Sequence, residues 1–210
     1  MEIIRIVNSY RYSNTYILDT ATDKILLIDP GGPSTDKIID WLQSNNKTIG
    51  AVLLTHEHAD HCLTVNSLYS LGAFELIYSQ KCSDNIKDEK QNFSFYIEEI
   101  PSFKIEIPTI VLEDAKRILI QGIDVLAIET PGHSPGGMCY VLLDVVFTGD
   151  TILNHTKTPL TFPHSNRKDY LNSIQKIVSK LEKRIKIYPG HGEPFDYESA
   201  EKLIQDIRVK

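Results

Sequence analysis

Residues 51–61 read Ala-Val-Leu-Leu-Thr-His-Glu-His-Ala-Asp-His, an apolar run that stops at Thr55 and gives way to three histidines and an aspartate. The apolar part has the composition of a buried strand. In extended backbone, residues two apart point the same way, so His56 and His58 can grip one ion together. As the chain turns into the helical pattern that follows, Asp60 and His61 are redirected toward a second ion. Imidazole nitrogen and carboxylate oxygen are ligands that zinc accepts. The sequence holds seven His and fifteen Asp in 210 residues. At those frequencies three His and one Asp in these fixed places arise by chance about five times in ten thousand, which disfavours an incidental polar loop.

Four ligands are too few for two ions, and three further candidates share one context downstream. His133 follows VLAIETPG, Asp150 follows VVFTG and His191 follows IKIYPG. Each ends a strand-like run beside a glycine. Loops at strand ends carry sites on rigid scaffolds, and glycine lets backbone approach an ion closely. A lone loop histidine is usually only solvated. Three such positions, next to a motif short of ligands, read together as the rest of one site.

Other short apolar or alternating runs read as strands: 2–7, 15–18, 24–28, 51–54, 74–78, 109–112, 117–120, 125–128, 138–143, 145–147 and 185–188. Helical periodicity is expected over Ser34–Ser44, Leu63–Leu71, Lys168–Leu181 and Ser199–Val209. Strands dominate each half, with helices inserted or closing it, which fits two β-sheets packed face to face with helices outside.

Composition narrows the function classes. Lys plus Arg number 22 and Asp plus Glu 28, a formal net charge of −6, which argues against a nucleic-acid surface. No apolar run approaches the roughly 18 residues of a membrane span, so no membrane partner is expected. Met1–Tyr10 lacks a basic stretch followed by an apolar one, so no leader is expected there. Cys62, Cys82 and Cys139 are odd in number and widely spaced, which reads as three free thiols in a reducing cytoplasm. Cys62, beside His61, leaves an oxidation-sensitive role open.

The motifs THEHADH, TPGH, TGD and YPGHG, in this order and at these separations, resemble the metallo-β-lactamase fold superfamily, and within it the small glyoxalase II-type hydrolases. The resemblance spans almost the whole chain, since Leu27-Ile28-Asp29-Pro30-Gly31 matches the family's early strand-to-loop segment. It implies one α/β domain over residues 1–210: a four-layer αβ/βα sandwich of two mixed β-sheets with helices on the outer faces. It implies that His56, His58 and His133 hold one divalent ion, that Asp60, His61 and His191 hold another, and that Asp150 bridges them. Zinc is the expected metal, with iron or manganese as alternatives. Asp29 would orient a ligand; read from the sequence alone, it equally starts an Asp-Pro-Gly turn.

Three departures bear on substrate. Leu63-Thr64 stands where the family commonly has a glycine pair, and Asn154–Lys168 replaces its usual Gly-Arg-x-Asp segment. The 210 residues do not include the C-terminal helical domain that binds glutathione in full-length glyoxalase II. Within Asn154–Lys168, His155, Lys157 and Arg167 read either as solvated loop residues or as substrate contacts at a pocket rim; His164 reads as solvated.

Two divalent ions would outweigh Asp60, Asp150 and one hydroxide by a single positive charge, which favours a small anionic acyl substrate. Such ions bring the pKa of bound water from 15.7 to about 7, and Asp60 or Asp150 would orient the nucleophile or pass its proton. A thiolate leaves without much acid assistance, so the expected reaction is hydrolysis of a thioester. A mononuclear iron persulfide dioxygenase, a lactone or β-lactam hydrolase, and a non-catalytic sensing module keeping a relic site are the rival expectations.

Overall fold

The computed structural model describes residues 1–33 and 35–199. Six strands form the first sheet: β1 (Glu2–Val7), β2 (Asn14–Asp19), β3 (Lys24–Ile28), β4 (Thr48–Leu53), β5 (Glu75–Ser79) and β6 (Thr109–Leu112), in spatial order β1 to β6. Its first two pairings are antiparallel and the next three parallel. The second sheet holds β7 (Lys116–Ile120), β8 (Ile123–Glu129), β9 (Met138–Leu142), β10 (Val145–Gly149), β11 (Lys186–Pro189) and β12 (Phe195–Asp196). It is antiparallel except for β10 beside β11.

Parallel pairs need crossovers, and helices supply them. α1 (Thr35–Asn45) joins β3 to β4, and α2 (Ala59–Cys62) with α3 (Val65–Leu71) joins β4 to β5. α4 (Gln80–Asn85) and a 3₁₀ turn at Ser94–Tyr96 follow β5, and α5 (Arg167–Lys180) joins β10 to β11. Asn166 starts α5 well: its side chain accepts hydrogen bonds from the Lys168 and Asp169 amides at 2.9 and 3.1 Å.

Alternation along the strands sorts the apolar residues into three cores. Leu26 and Ile28 of β3 meet Val125, Tyr140 and Phe147 of the second sheet in a core between the sheets. Ile25 and Leu27 point the other way, to Ile38 of α1 and Val65 and Leu68 of α3. Val146 and Ile187 face Tyr170, Ile174 and Ile177 of α5. Three apolar seams separate four layers, so the chain is the expected αβ/βα sandwich of two mixed sheets.

Expected strand positions match observed ones to within a few residues. The helix expected over 63–71 begins two residues late, as α3 at Val65: the chain turns at Leu63-Thr64, after the short α2, and Thr64 spends its hydroxyl on the Pro30 carbonyl at 2.8 Å. α4 and β12 were not expected, since six and two residues are too short for periodicity to register. The 199–209 expectation falls, beyond Ser199, outside the described residues. Among those described, no helix is long and apolar enough to cross a membrane.

Candidate metal centre

Five strand ends converge at one rim. Asp29 follows β3, Thr55–His61 follows β4, His133 follows β8, Asp150 follows β10 and His191 follows β11. Carboxyl ends of strands are where open α/β sheets build their sites. The turn between β1 and β2 closes the rim: Ser13 Oγ donates to the Asp60 carbonyl at 2.6 Å, and Ser13 pairs with His191 in an isolated bridge.

The structure brings all seven expected ligand residues together. The His133 and His58 nitrogens Nε2 and Nδ1 approach to 3.1 Å, and His56 stands edge-on to both rings with centroids 5.2 and 4.6 Å away. Donor atoms of His56, His58 and His133 all lie within 4.8 Å of one another, as do those of Asp60, His61 and His191. Asp150 lies between the two groups: its Oδ1 is 3.6 Å from His61 Nε2, and its Oδ2 is 3.5 Å from both His133 Nε2 and His191 Nε2. His191 Nε2 is also 3.3 Å from His61 Nε2 and 3.4 Å from Asp60 Oδ2.

The surroundings set the tautomers. A carbonyl only accepts, so His133 Nδ1 donates to Pro159 O at 2.8 Å and turns a bare Nε2 to the centre. Thr55 Oγ1 donates to Asp29 Oδ2 at 2.6 Å and so accepts a hydrogen bond from His56 Nδ1 at 3.0 Å, leaving His56 Nε2 bare. His61 Nδ1 faces the same Asp29 oxygen at 3.1 Å. Asp29, His56 and His61 also lie close enough to form a third ligand group. Both Asp29 oxygens are spent on the Thr55 amide, the Thr55 hydroxyl and His61, so Asp29 orients ligands. It does this while also holding a tight turn, at φ 49° with its carbonyl accepting from the Gly31 amide; both sequence readings of Asp29 are realised.

These residues fit bound cations. His56 Nε2 and Asp150 Oδ1 are buried without any hydrogen-bond partner, a costly arrangement unless something positive sits between them. Burial, and then the neighbouring imidazoles, push His56 and His58 well below the usual histidine range, which keeps them neutral and able to ligate. Burial opposes charge on His61 too, but Asp60, Asp150 and Asp29 outweigh it and raise its pKa to about 10. Burial pushes Asp60 up, and the attraction of His61 and His191 more than reverses it, holding the carboxyl well below the ordinary range. Without a metal, a proton on His61 therefore plays the cation's part.

Glu57, between two ligands in sequence, faces away from them. It is buried and accepts from Asn85 Nδ2 at 2.8 Å, Ser134 Oγ at 3.1 Å and the Gly136 amide at 3.4 Å. It thereby ties the His56–His61 loop to the loop carrying His133. Cys62 is buried, with its thiol toward the Glu57 and His58 carbonyls at 3.5 and 3.3 Å; Cys82 and Cys139 are buried and free as well.

A cleft of about 570 Å³ opens above the centre, with His58, Asp60, Asp150 and His191 in its floor. Segment 154–168 walls it, but through Thr156, Pro159, Phe162 and Pro163. His155, Lys157 and Arg167, the substrate contacts expected from sequence, are exposed and do not line it. The segment turns Pro159, Phe162 and Pro163 to the cleft and leaves its charges in water, and Arg167 is committed to the first turn of α5. The cation that does line the cleft is Arg11. Sequence reading passed over Arg11 and Phe93; both sit at positive φ, 55° and 67°, a backbone choice no local pattern announces.

The family model of the metallo-beta-lactamase superfamily matches residues 9–191. A "Probable polyketide biosynthesis zinc-dependent hydrolase BaeB" of Bacillus velezensis is 30% identical over 175 residues, 83% of this chain and 70% of that protein. An "Atrochrysone carboxyl ACP thioesterase" of Aspergillus fumigatus is 31% identical over 202 residues, 94% of this chain but 56% of that protein. Among solved structures, the BLEG-1 B3 metallo-beta-lactamase superposes with a TM-score of 0.88 at 24% identity, covering 96% of this chain and 97% of that one, a likeness of fold.

Proposed function

Since this chain belongs to the metallo-β-lactamase superfamily and is a metallo-hydrolase, we propose that it hydrolyses a small, anionic acyl thioester at a dinuclear, zinc-type centre. His56, His58 and His133 would hold one ion, Asp60, His61 and His191 the other, with Asp150 between. Ions held there bring the pKa of bound water from 15.7 to about 7 and polarise a carbonyl oxygen. The observation that carries this reading is the unpartnered, buried pair of His56 Nε2 and Asp150 Oδ1 within a ring of five imidazoles and two carboxylates.

The chain's own residues do the rest. Asp60 or Asp150 orients the attacking water and passes its proton toward the leaving sulfur; Asp60 Oδ2 is held near His191 for this. The C–O bond forms as the C–S bond breaks; the sulfur leaves as a thiolate and then takes up the proton that came from the water, and the carboxylic acid is the other product. Among the described residues no carboxyl group besides Asp60 and Asp150 lines the cleft, which suits a thiolate, since it leaves without acid assistance. The cleft holds the acyl group and keeps bulk water off the carbonyl. Three unpaired cysteines suit a reducing cytoplasm, and the net charge of −6 suits a small-molecule substrate better than nucleic acid.

Support in kind comes from a relative whose name is that of a thioesterase and another whose name is that of a zinc-dependent hydrolase. The test pairs elemental analysis of natively purified protein with thiol release from S-lactoylglutathione and from acyl N-acetylcysteamine thioesters. About two equivalents of zinc, iron or manganese and turnover of at least one thioester are expected. Less than one equivalent of metal, or full loading with no thioester turned over, overturns the proposal. Asp150→Asn should lower kcat by about a hundredfold or more while the protein still melts cooperatively.

A further inference from the structure

The cleft has an uneven chemistry that the metal centre does not explain. Phe93 and Phe162 lie side by side, centroids 5.5 Å apart and planes 31° apart, and both pack against His58, at 4.8 and 5.2 Å. They come from distant segments of the chain, Phe93 from the one after β5 and Phe162 from the one after β10. Phe162 is 40% exposed although it belongs by chemistry in a core. Leu153 and Pro159 continue the same apolar surface. The result is an aromatic shelf running directly from a metal-ligating ring.

Opposite in chemistry is Arg11. It lines the same cleft as Asp60 and His191, two residues before Ser13, which is fastened to both of those backbones. Among the described residues its guanidinium has Tyr10 as its hydrogen-bond partner, donating to the hydroxyl at 3.2 Å and lying 5.6 Å from the ring centroid. Asp60 and Glu99 attract it from a distance, but among the described residues it makes no ion pair. Cations bound at the centre would satisfy Asp60, leaving Arg11 as a positioned donor fork for an anion.

Building on the thioesterase reading, we infer that the substrate carries an aryl or similarly flat apolar acyl group, seated on the Phe93–Phe162 shelf, and an anionic group held by Arg11. A cleft of about 570 Å³ is the size that takes a whole small molecule of this kind. Glutathione, which is polar throughout, leaves the shelf without a partner. The anion could be a carboxylate on the acyl group or a phosphate on the thiol arm; a guanidinium recognises either.

The zinc-loaded protein is assayed with N-acetylcysteamine thioesters of acetate, benzoate and 4-carboxybenzoate, and with the benzoyl thioester of phosphopantetheine. Benzoyl should exceed acetyl in kcat/KM by about tenfold, the scale of a good aromatic contact. One of the two anionic substrates should exceed benzoyl N-acetylcysteamine by a further factor of about ten, the scale of a charge-assisted hydrogen bond, and which one does so identifies the source of the anion. Phe162→Ala should collapse the benzoyl-to-acetyl ratio toward one, and Arg11→Gln the anionic-to-neutral ratio, with Arg11→Lys restoring part of it. Calorimetry of terephthalate against benzoate with wild type and Arg11→Gln reads the same preference without turnover. If terephthalate binds more tightly than benzoate through Arg11 but no thioester is cleaved, the cleft assignment stands and the thioesterase reading falls. If acetyl, benzoyl and anionic thioesters are turned over at equal kcat/KM, the thioesterase reading stands and this inference is overturned.

Discussion

Asp29 Oδ2 lies 3.1 Å from His61 Nδ1 and 2.6 Å from Thr55 Oγ1, and Thr55 in turn accepts from His56. One buried carboxylate thus sets the proton positions of two histidines that belong to different ligand groups. With a cation in place of the extra proton on His61, Nδ1 would stay protonated on both rings and Nε2 would be the atom left to ligate. Two of the seven proposed ligands are in this sense oriented from the end of β3, a strand that contributes no ligand of its own.

Asp29→Asn is therefore expected to weaken zinc binding without unfolding the chain. Asparagine tolerates the positive φ of this position, so the turn survives. An amide, however, can present its NH2 where His61 needs an acceptor, favouring the wrong tautomer. Loss of such an orienting partner typically costs 10–100-fold in metal affinity, and about that is expected here. Competition against a chromophoric chelator measures it; wild-type affinity in the variant would show that Asp29 serves only the turn.

Glu57→Ala tests the other fastening. Truncation strands the Asn85 amide, the Ser134 hydroxyl and the Gly136 amide, which now converge on one carboxylate. Buried donors left without acceptors should cost about 2–4 kcal/mol, a fall in Tm of roughly 5–15 °C for a domain of this size. Glu57→Gln, which keeps an acceptor, should lose less. A thermal scan in which both variants melt like wild type would mean that the two loops hold their positions by other contacts.

How much of this was legible beforehand follows from the range of the forces involved. His56, His58, Asp60 and His61 sit within six residues, and their chemistry is local, so the motif could be read directly. His133, Asp150 and His191 were found because each ends a strand beside a glycine, again a local mark. Strand positions followed from alternation, and the late start of α3 at Val65 did not, since Thr64 turns out of the helix for a bond to Pro30, 34 residues away. Arg11 and Phe93 were invisible for the same reason: what makes them cleft residues is the distant partner opposite, Asp60 or Phe162. Charge suggested Lys157 and Arg167 as substrate contacts, but charged side chains on that segment gain more from water than from an apolar cleft.

The three thiols are expected to be silent in the folded protein. Cys62, Cys82 and Cys139 are fully buried, and burial raises the Cys139 thiol to about 11, so little thiolate exists near neutrality. Native protein should react with a disulfide reagent at least about a hundredfold more slowly than a free thiol, and release three equivalents after unfolding in guanidinium. Fast reaction of one equivalent in the native state would revive an oxidation-sensitive role for Cys62.

Gly190 offers the sharpest steric test of the centre. A Cβ there would stand 2.2 Å from Asp150 Oδ1 and 2.8 Å from His61 Cε1, well inside contact distance for the one carboxylate that touches both ligand groups. The backbone cannot retreat, because the Gly190 amide donates to Gly149 O at 2.8 Å while its carbonyl accepts from the Asn14 amide at 2.7 Å. Asp150 must therefore swing away. Gly190→Ala is expected to lower zinc affinity by at least about tenfold and to destabilise the apo-protein by about 1–3 kcal/mol, the usual cost of overpacking. Gly72→Ala is the matched control, since a Cβ at Gly72 meets nothing within 4 Å and should change stability by less than about 0.5 kcal/mol. Metal titration and thermal melts on the two variants separate the outcomes: equal zinc affinity in Gly190→Ala and Gly72→Ala would place Asp150 outside the metal centre.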